Sequence, residues 1–275
     1  MAKASLHGGR TKNRSAKHND VSYDIEKNPS VIHPERLSDN LYMAVGSDGE
    51  LHRVPGGQGR FEQSEKNFYK ANFKDGLRAR NDRYKEQRHP ERAQTMAQFR
   101  SGSKSKPYEL ILQVGKTGDE LLDSIDARAF NDLTVGFMQE FSKKYGSSIK
   151  ILNTATHHHE MTPHSQTNLV FVAPDRDGNL MPNQNQALKD LGFEMPYPDE
   201  PPSKTNNLLV SFTSQVREAW YCYVERELGI EIDREVKTPG VKHRNQHEDR
   251  TSYVQSLSDE LEAEELLESD DINQI

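Results

Sequence analysis

The run Thr156-His157-His158-His159-Glu160-Met161-Thr162-Pro163-His164-Ser165-Gln166 governs the reading of the rest of the chain. Ile149, Ile151 and Leu152 precede it, and Leu169, Val170, Phe171 and Val172 follow. That pattern predicts strand, tight Pro-containing connection, strand: a hairpin with imidazoles at its turn end. Strand side chains alternate faces, so His157 and His159 are expected on one face of the incoming strand. His164 and Gln166 share a face of the outgoing strand in the same way. Where those faces coincide, four ligand-capable side chains converge. Imidazole nitrogens with one carbonyl or carboxylate oxygen suit borderline divalent ions such as Mn, Zn, Co or Ni, and Glu160 is placed to orient one ligand. The bland alternative is a surface turn carrying histidines by chance. Four of the protein's 11 histidines and a carboxylate bracketed by two strands weigh against it.

A zincin-type protease fits poorly. His159-Glu160-Met161-Thr162-Pro163-His164 has one residue too many for H-E-x-x-H, and Pro163 would break the helix that motif needs. A metal on adjacent strands with an open position suits gripping a phosphate for nucleophilic attack, with His18, Tyr23 or Tyr42 as candidate nucleophiles.

Outward from the hairpin, apolar periodicity predicts a strand at 41–45, a helix over 61–87, a strand at 108–115 and an amphipathic helix from Phe130 to Tyr145 ending at Gly146. After the hairpin come a short helix at 184–192 and a long one over 206–228, closed by Gly229. The aromatic stripes on these helices read as core. Asp175-Arg176-Asp177-Gly178-Asn179 reads as a turn, since it lacks the remainder of a calcium loop. Strand, helix, strand, helix, strand, strand, helix, helix implies an α+β fold: an antiparallel sheet with helices to one side.

Mean hydropathy of −0.93 with 29% charged residues suggests a folded centre with solvated ends. Residues 1–17 read as a basic flexible arm and 246–275 as an acidic tail, leaving 18–245 as the principal domain. The single cysteine, Cys222, fits a reducing cytoplasm, the first thirty residues lack the apolar run of a signal peptide, and no membrane segment is expected. The net charge of −7 is segregated: +7 over residues 1–110, −6 over 111–200 and −8 over 201–275. Residues 78–106 carry nine Lys+Arg against three acids, Arg78, Arg80 and Arg83 among them. This strip reads either as a solvated helix face with a linker or as phosphate contacts for a nucleic acid.

The hairpin motif resembles that of the MobV (Mob/Pre) plasmid mobilisation relaxases, a branch of the HUH endonucleases, which read H-x-D-E-x-T-P-H-x-H. A second similarity lies at His18-Asn19-Asp20-Val21-Ser22-Tyr23 followed by Ile32-His33-Pro34-Glu35-Arg36 and Asn40, where the family shows H-N-x-R-x-F and then I-D/N-P-x-R-x-x-x-N. A softer one is Leu228-Gly229-Ile230-Glu231-Ile232-Asp233-Arg234-Glu235 after the long helix. Order and spacing agree over roughly residues 10–245.

The resemblance implies an HUH relaxase-like sheet flanked by helices, and a metal-dependent enzyme that nicks one strand of plasmid origin DNA, single-stranded or supercoiled, for conjugative mobilisation or plasmid recombination. It implies Mn or Mg as cofactor, a covalent 5′-phosphoryl–protein intermediate, and accessory mobilisation proteins as possible partners. Carried over, His18 is the nucleophile, with Tyr23 a second candidate. Glu160 is an acid–base group or a support behind the metal ligands. His157 and His164 are metal ligands, with Gln166 in place of a third histidine and His159 in place of the aspartate as a substitute ligand. Arg36 and Asn40 support the N-terminal segment or contact DNA. Val21 stands where the family has arginine. These departures leave open a DNA-binding homologue without cleavage. A rolling-circle replication initiator, which shares the chemistry but serves copying, is a further reading.

Overall fold

The expected helices and strands all form, with ends shifted by a few residues, and further short elements join them. A computed structural model describes residues 3–9, 16–22, 25, 33–115 and 125–234. In chain order these give β1 (Ala4–Gly9), α1 (Ala16–Asn19), β2 (Tyr42–Val45), β3 (Leu51–Arg53), α2 (Arg60–Glu86), α3 (Met96–Ser101) and β4 (Tyr108–Val114). They continue with α4 (Ala127–Tyr145), β5 (Ile149–His157), β6 (His164–Pro174), β7 (Leu180–Pro182), α5 (Gln184–Asp190) and α6 (Leu208–Leu228). The strands make one antiparallel sheet in the order β1-β4-β6-β5-β2-β3, with β7 also paired to β6. The α+β architecture is as expected, but helices cover both faces of the sheet. No described helix is long and apolar enough to cross a membrane.

One face of the sheet is dry. Tyr108, Leu110, Leu112 and Val114 of β4, Ile149 and Ile151 of β5, and Leu169 and Phe171 of β6 pack against the stripes of α4 and α6. Trp220 of α6 lies at the centre, its indole N–H donating to the Gln113 carbonyl at 3.3 Å. Asp126 caps α4 by accepting from the Ala129 N–H at 2.7 Å. Gly229, at φ 65°, closes α6 in the left-handed conformation that glycine adopts at least cost. The opposite face meets α2, whose Phe68, Tyr69, Phe73 and Leu77 cover Leu152, Val170 and Val172.

The stretch expected as a basic arm contains β1. Leu6 alternates with polar neighbours and is buried; β1 pairs with β4 as an edge strand, and the Leu6 carbonyl accepts from Arg217 Nε of α6 at 3.1 Å, which ties the strand to that helix. The described residues end at Arg234, so the expected boundary at 245 lies outside them. The acidic tail lies outside the described residues.

The hairpin carries a register shift that decides where the site faces. Ile151 pairs with Leu169, but Asn153 pairs with Asn168, so Leu152 is an extra residue in β5. Such a β-bulge reverses the alternation of its strand. Ile149 and Ile151 therefore face α4 and α6, while Asn153, Ala155 and His157 face α2. On β6 the alternation is unbroken, and His164, Gln166 and Asn168 lie on that same α2 face.

Candidate functional site

His157 and His164 are cross-strand partners at the mouth of the hairpin, and Gln166 sits two positions inward opposite Ala155. The His157 ring centroid lies 5.2 Å from that of His164, 5.4 Å from His159, and 5.7 Å from His18, on which it is stacked. His157 is completely buried, yet neither ring nitrogen has a hydrogen-bond partner, and the Gln166 side-chain oxygen is orphaned as well. Leaving such a group buried and unsatisfied costs about 1–3 kcal/mol. A bound cation is one partner that could satisfy these atoms.

His157, His159 and Glu160 each offer a ligand atom, all within 4.8 Å of one another, so this cluster could hold a metal ion. His164 is prepared from outside: its Nδ1 lies 2.9 Å from the Thr162 carbonyl, which can only accept, so the proton sits on Nδ1 and Nε2 keeps its lone pair. Burial holds the His157 pKa well below the usual imidazole range, and the surrounding His164, His18, His159 and His158 push the same way. Burial also lowers His159, against the opposing pull of Glu160. Both rings are neutral at pH 7, the form that binds cations. Nitrogen and amide oxygen donors in this set fit a borderline divalent ion.

His158 faces the other way. Its Nε2 donates to Asn131 Oδ1 of α4 at 3.0 Å, and that oxygen also accepts from the Thr156 hydroxyl at 2.6 Å. Burial, then the Arg36 charge, lower its pKa to about 4. Asn40 ties the turn to β2: Oδ1 accepts from the His158 backbone N–H at 2.8 Å, while Nδ2 reaches the Tyr42 hydroxyl at 2.7 Å and His159 Nδ1 at 2.8 Å. The His33 N–H donates to the His159 carbonyl at 2.9 Å.

His18 is delivered by a small polar platform. Asp20, fully buried, accepts from the N–H of Phe61 in the first turn of α2 at 3.3 Å and from both the N–H and the hydroxyl of Ser22. A carboxylate at the start of this 27-residue helix meets its positive end. Ser22 Oγ in turn accepts from the Gly59 N–H at 2.7 Å, and Asn19 Nδ2 donates to Glu109 of β4 at 3.2 Å. Thus anchored, His18 holds Nε2 at 3.5 Å from Glu160 Oε1, with its side chain 33% exposed. Val21, at φ 56°, is buried in a backbone conformation unusual for a β-branched residue.

The other expected residues are dispersed. Tyr23 lies outside the described residues. Arg36 is 3.8 Å from Asp39. Arg78, Arg80 and Arg83 fall in the C-terminal part of α2, about 27 to 35 Å along the axis from its start at about 1.5 Å per residue. Arg78 is exposed near Asp75. Arg80 lies over the Phe99 ring at 4.9 Å and donates to Gln94 at 2.7 Å. Arg83 pairs with Asp175 and Asp177, so a guanidinium occupies the turn that mimics part of a calcium loop. Sequence reasoning missed Asp20, Glu109 and Asn131 as supports.

No family model and no curated protein matches the chain. Among solved structures, it is similar to the MobM relaxase domain (MOBV; Mob_Pre) in Mn-bound crystals with plasmid pMV158 oriT DNA. In the form at pH 6.8 the identity is 15% and the TM-score 0.44, covering 90% of this chain and 96% of that one. The form at pH 5.5 gives 14% identity, a TM-score of 0.47, and 88% and 95% coverage. Likeness at this level assigns neither family nor activity.

Proposed function

We propose that this chain is a metal-dependent relaxase that nicks one DNA strand at a plasmid transfer origin for mobilisation. The observation that carries the reading is His18 stacked on the orphaned His157, with Nε2 3.5 Å from Glu160. A nucleophile, a carboxylate to receive its proton, and a set of unsatisfied ligands lie together at one end of one sheet. His157, His164 and Gln166 would hold the ion, with His159 beside them. A divalent ion, Mn or Mg, supplies polarisation of the scissile phosphate. His18 attacks phosphorus through Nδ1. The bond from phosphorus to the 3′-oxygen breaks, the leaving oxygen becomes a 3′-OH on gaining a proton from solvent, and the 5′-phosphoryl stays on the imidazole. The positive charge that the ring gains is relieved as Glu160 accepts the Nε2 proton.

Val21 favours a second reading, a binder that does not cleave. The residue at that position is apolar and buried, where the relaxase motif carries an arginine for a phosphate.

Supercoiled plasmid carrying the DNA upstream of the gene, incubated with Mn, Mg or chelator and quenched with detergent and protease, separates the two. The relaxase reading expects open circles that require metal, His18 and His164. Retarded but uncut DNA under every metal would move the assignment to the binder. In either case affinity for an origin oligonucleotide should fall steeply with salt, since phosphate contacts release counterions.

A further inference from the structure

We infer that His159 is not a metal ligand but a hydrogen-bond donor, and that Asn40 is the positioning residue that makes it so. The inference rests on the metal-site reading above for its consequence, though not for its first observation. The Asn40 amide has one possible orientation. Its Oδ1 faces the backbone N–H of His158 at 2.8 Å, a group that can only donate. Its Nδ2 therefore points at the Tyr42 hydroxyl and at His159 Nδ1, 2.7 and 2.8 Å away. Turning the amide over would set its NH2 against the His158 N–H. Since the amide nitrogen donates, His159 Nδ1 must accept, and in the neutral ring the proton sits on Nε2. A nitrogen that carries a proton cannot bind a cation.

His164 shows the opposite device. There a carbonyl fixes the proton on Nδ1 and leaves Nε2 with a lone pair. Two histidines of one hairpin are thus set in opposite tautomers by their outer partners. Proximity alone groups His159 with His157 and Glu160; the hydrogen bonding removes it from that set. The ligands that remain are His157, His164 and Gln166, and the Nε2–H of His159 serves an oxygen anion, either the Glu160 carboxylate or a phosphate.

The test uses full-length protein labelled with ¹⁵N at histidine. In metal-free wild type at neutral pH, the His159 resonances, assigned by their loss in His159→Gln, should show a pyridine-type Nδ1 and a pyrrole-type Nε2. Asn40→Asp should exchange them, because a carboxylate accepts from Nδ1 and frees the lone pair of Nε2. The same substitution should tighten Mn binding, read by water-proton relaxation, by about tenfold or more, the size of effect usual for an outer-shell partner. His159→Gln in the wild-type background should change Mn affinity less than about threefold, whereas His164→Gln should change it by at least ten times as much. A protonated Nδ1 in wild type, or His159→Gln weakening Mn as severely as His164→Gln, would overturn the inference. If wild type binds no Mn while the tautomer is as stated, the metal reading fails and the assignment of His159 as donor survives.

Discussion

The two halves of the β5–β6 hairpin make opposite use of the same sheet. Below Leu152, Ile149, Ile151, Leu169 and Phe171 are apolar and pack with the stripes of α4 and α6, in a layer whose polar atoms are few, the Trp220 indole N–H and the orphaned Tyr145 hydroxyl among them. Above it, Asn153, His157, Gln166 and Asn168 are buried too and His164 is half-buried, yet the α2 face there is polar, and the His157 ring nitrogens and the Gln166 side-chain oxygen have no partner. Where partners exist they form a chain: Asn168 donates to Asn153 at 2.6 Å, and Asn153 to the buried Glu65 of α2 at 2.9 Å. The lower half supplies stability through area and packing. The upper half gives some of it up by leaving atoms of His157 and Gln166 unsatisfied, and one bulge residue separates the two.

Substitutions on either side of the bulge should differ in kind as well as size. Trp220→Ala, in the dry layer, should lower unfolding free energy by about 3–5 kcal/mol while leaving adduct formation per folded molecule intact. Urea titration followed by circular dichroism measures it, since the substitution removes the only tryptophan. Asp20→Ala should cost about 1–2 kcal/mol through loss of the α2 cap, but should reduce adduct formation far more than the destabilised Trp220 variant does. Equal effects on activity would break the contrast.

His157→Leu should act in the other direction. Removing two orphaned ring nitrogens should raise the unfolding free energy of the metal-free protein by about 1 kcal/mol and abolish Mn binding. A fall in stability in chelator would mean that the imidazole is satisfied after all.

The smallest effect is with pH. His157, His158 and His159 all have depressed folded pKa values, so the unfolded chain binds more protons as acid is added. Their contribution is fully present above about 6.5, the unfolded imidazole value, and is lost progressively as pH falls from there. For His158 the loss is complete only below about 4. The midpoint of thermal unfolding should therefore fall between pH 7 and pH 5, and the fall should be shallower in His158→Asn.

Much of this was legible in the sequence. The strand–turn–strand reading, the long helices and the association of His157, His164 and Gln166 follow from periodicity over long apolar runs. The bulge was not, although the sequence holds its trace. Ile149 and Ile151 share parity with Asn153 and His157, so an unbroken strand would press histidine into an apolar layer. Leu152 breaks that parity. β1 and β3 were missed because short edge strands take their form from a partner strand more than from their own residues. The platform under His18 was unreadable for a different reason. Asn19 is held by Glu109, ninety positions away, and Asp20 by a helix start forty-one positions on, and no local pattern encodes such pairings. The roles of the arginines in the basic strip also depend on tertiary neighbours. Arg80 and Arg83 find Phe99, Gln94 and two aspartates, leaving Arg78 more exposed than either.

The most direct test of the central claim is to map the covalent link between protein and origin DNA. Protein incubated with a labelled origin oligonucleotide and Mn would be digested, and the nucleotide-bearing peptide identified by mass. The account predicts attachment at His18 through a phosphorus–nitrogen bond, which is lost on brief acid treatment but stable to alkali. An acid-stable link on Tyr23, or no adduct under conditions where Mn is bound, would contradict it.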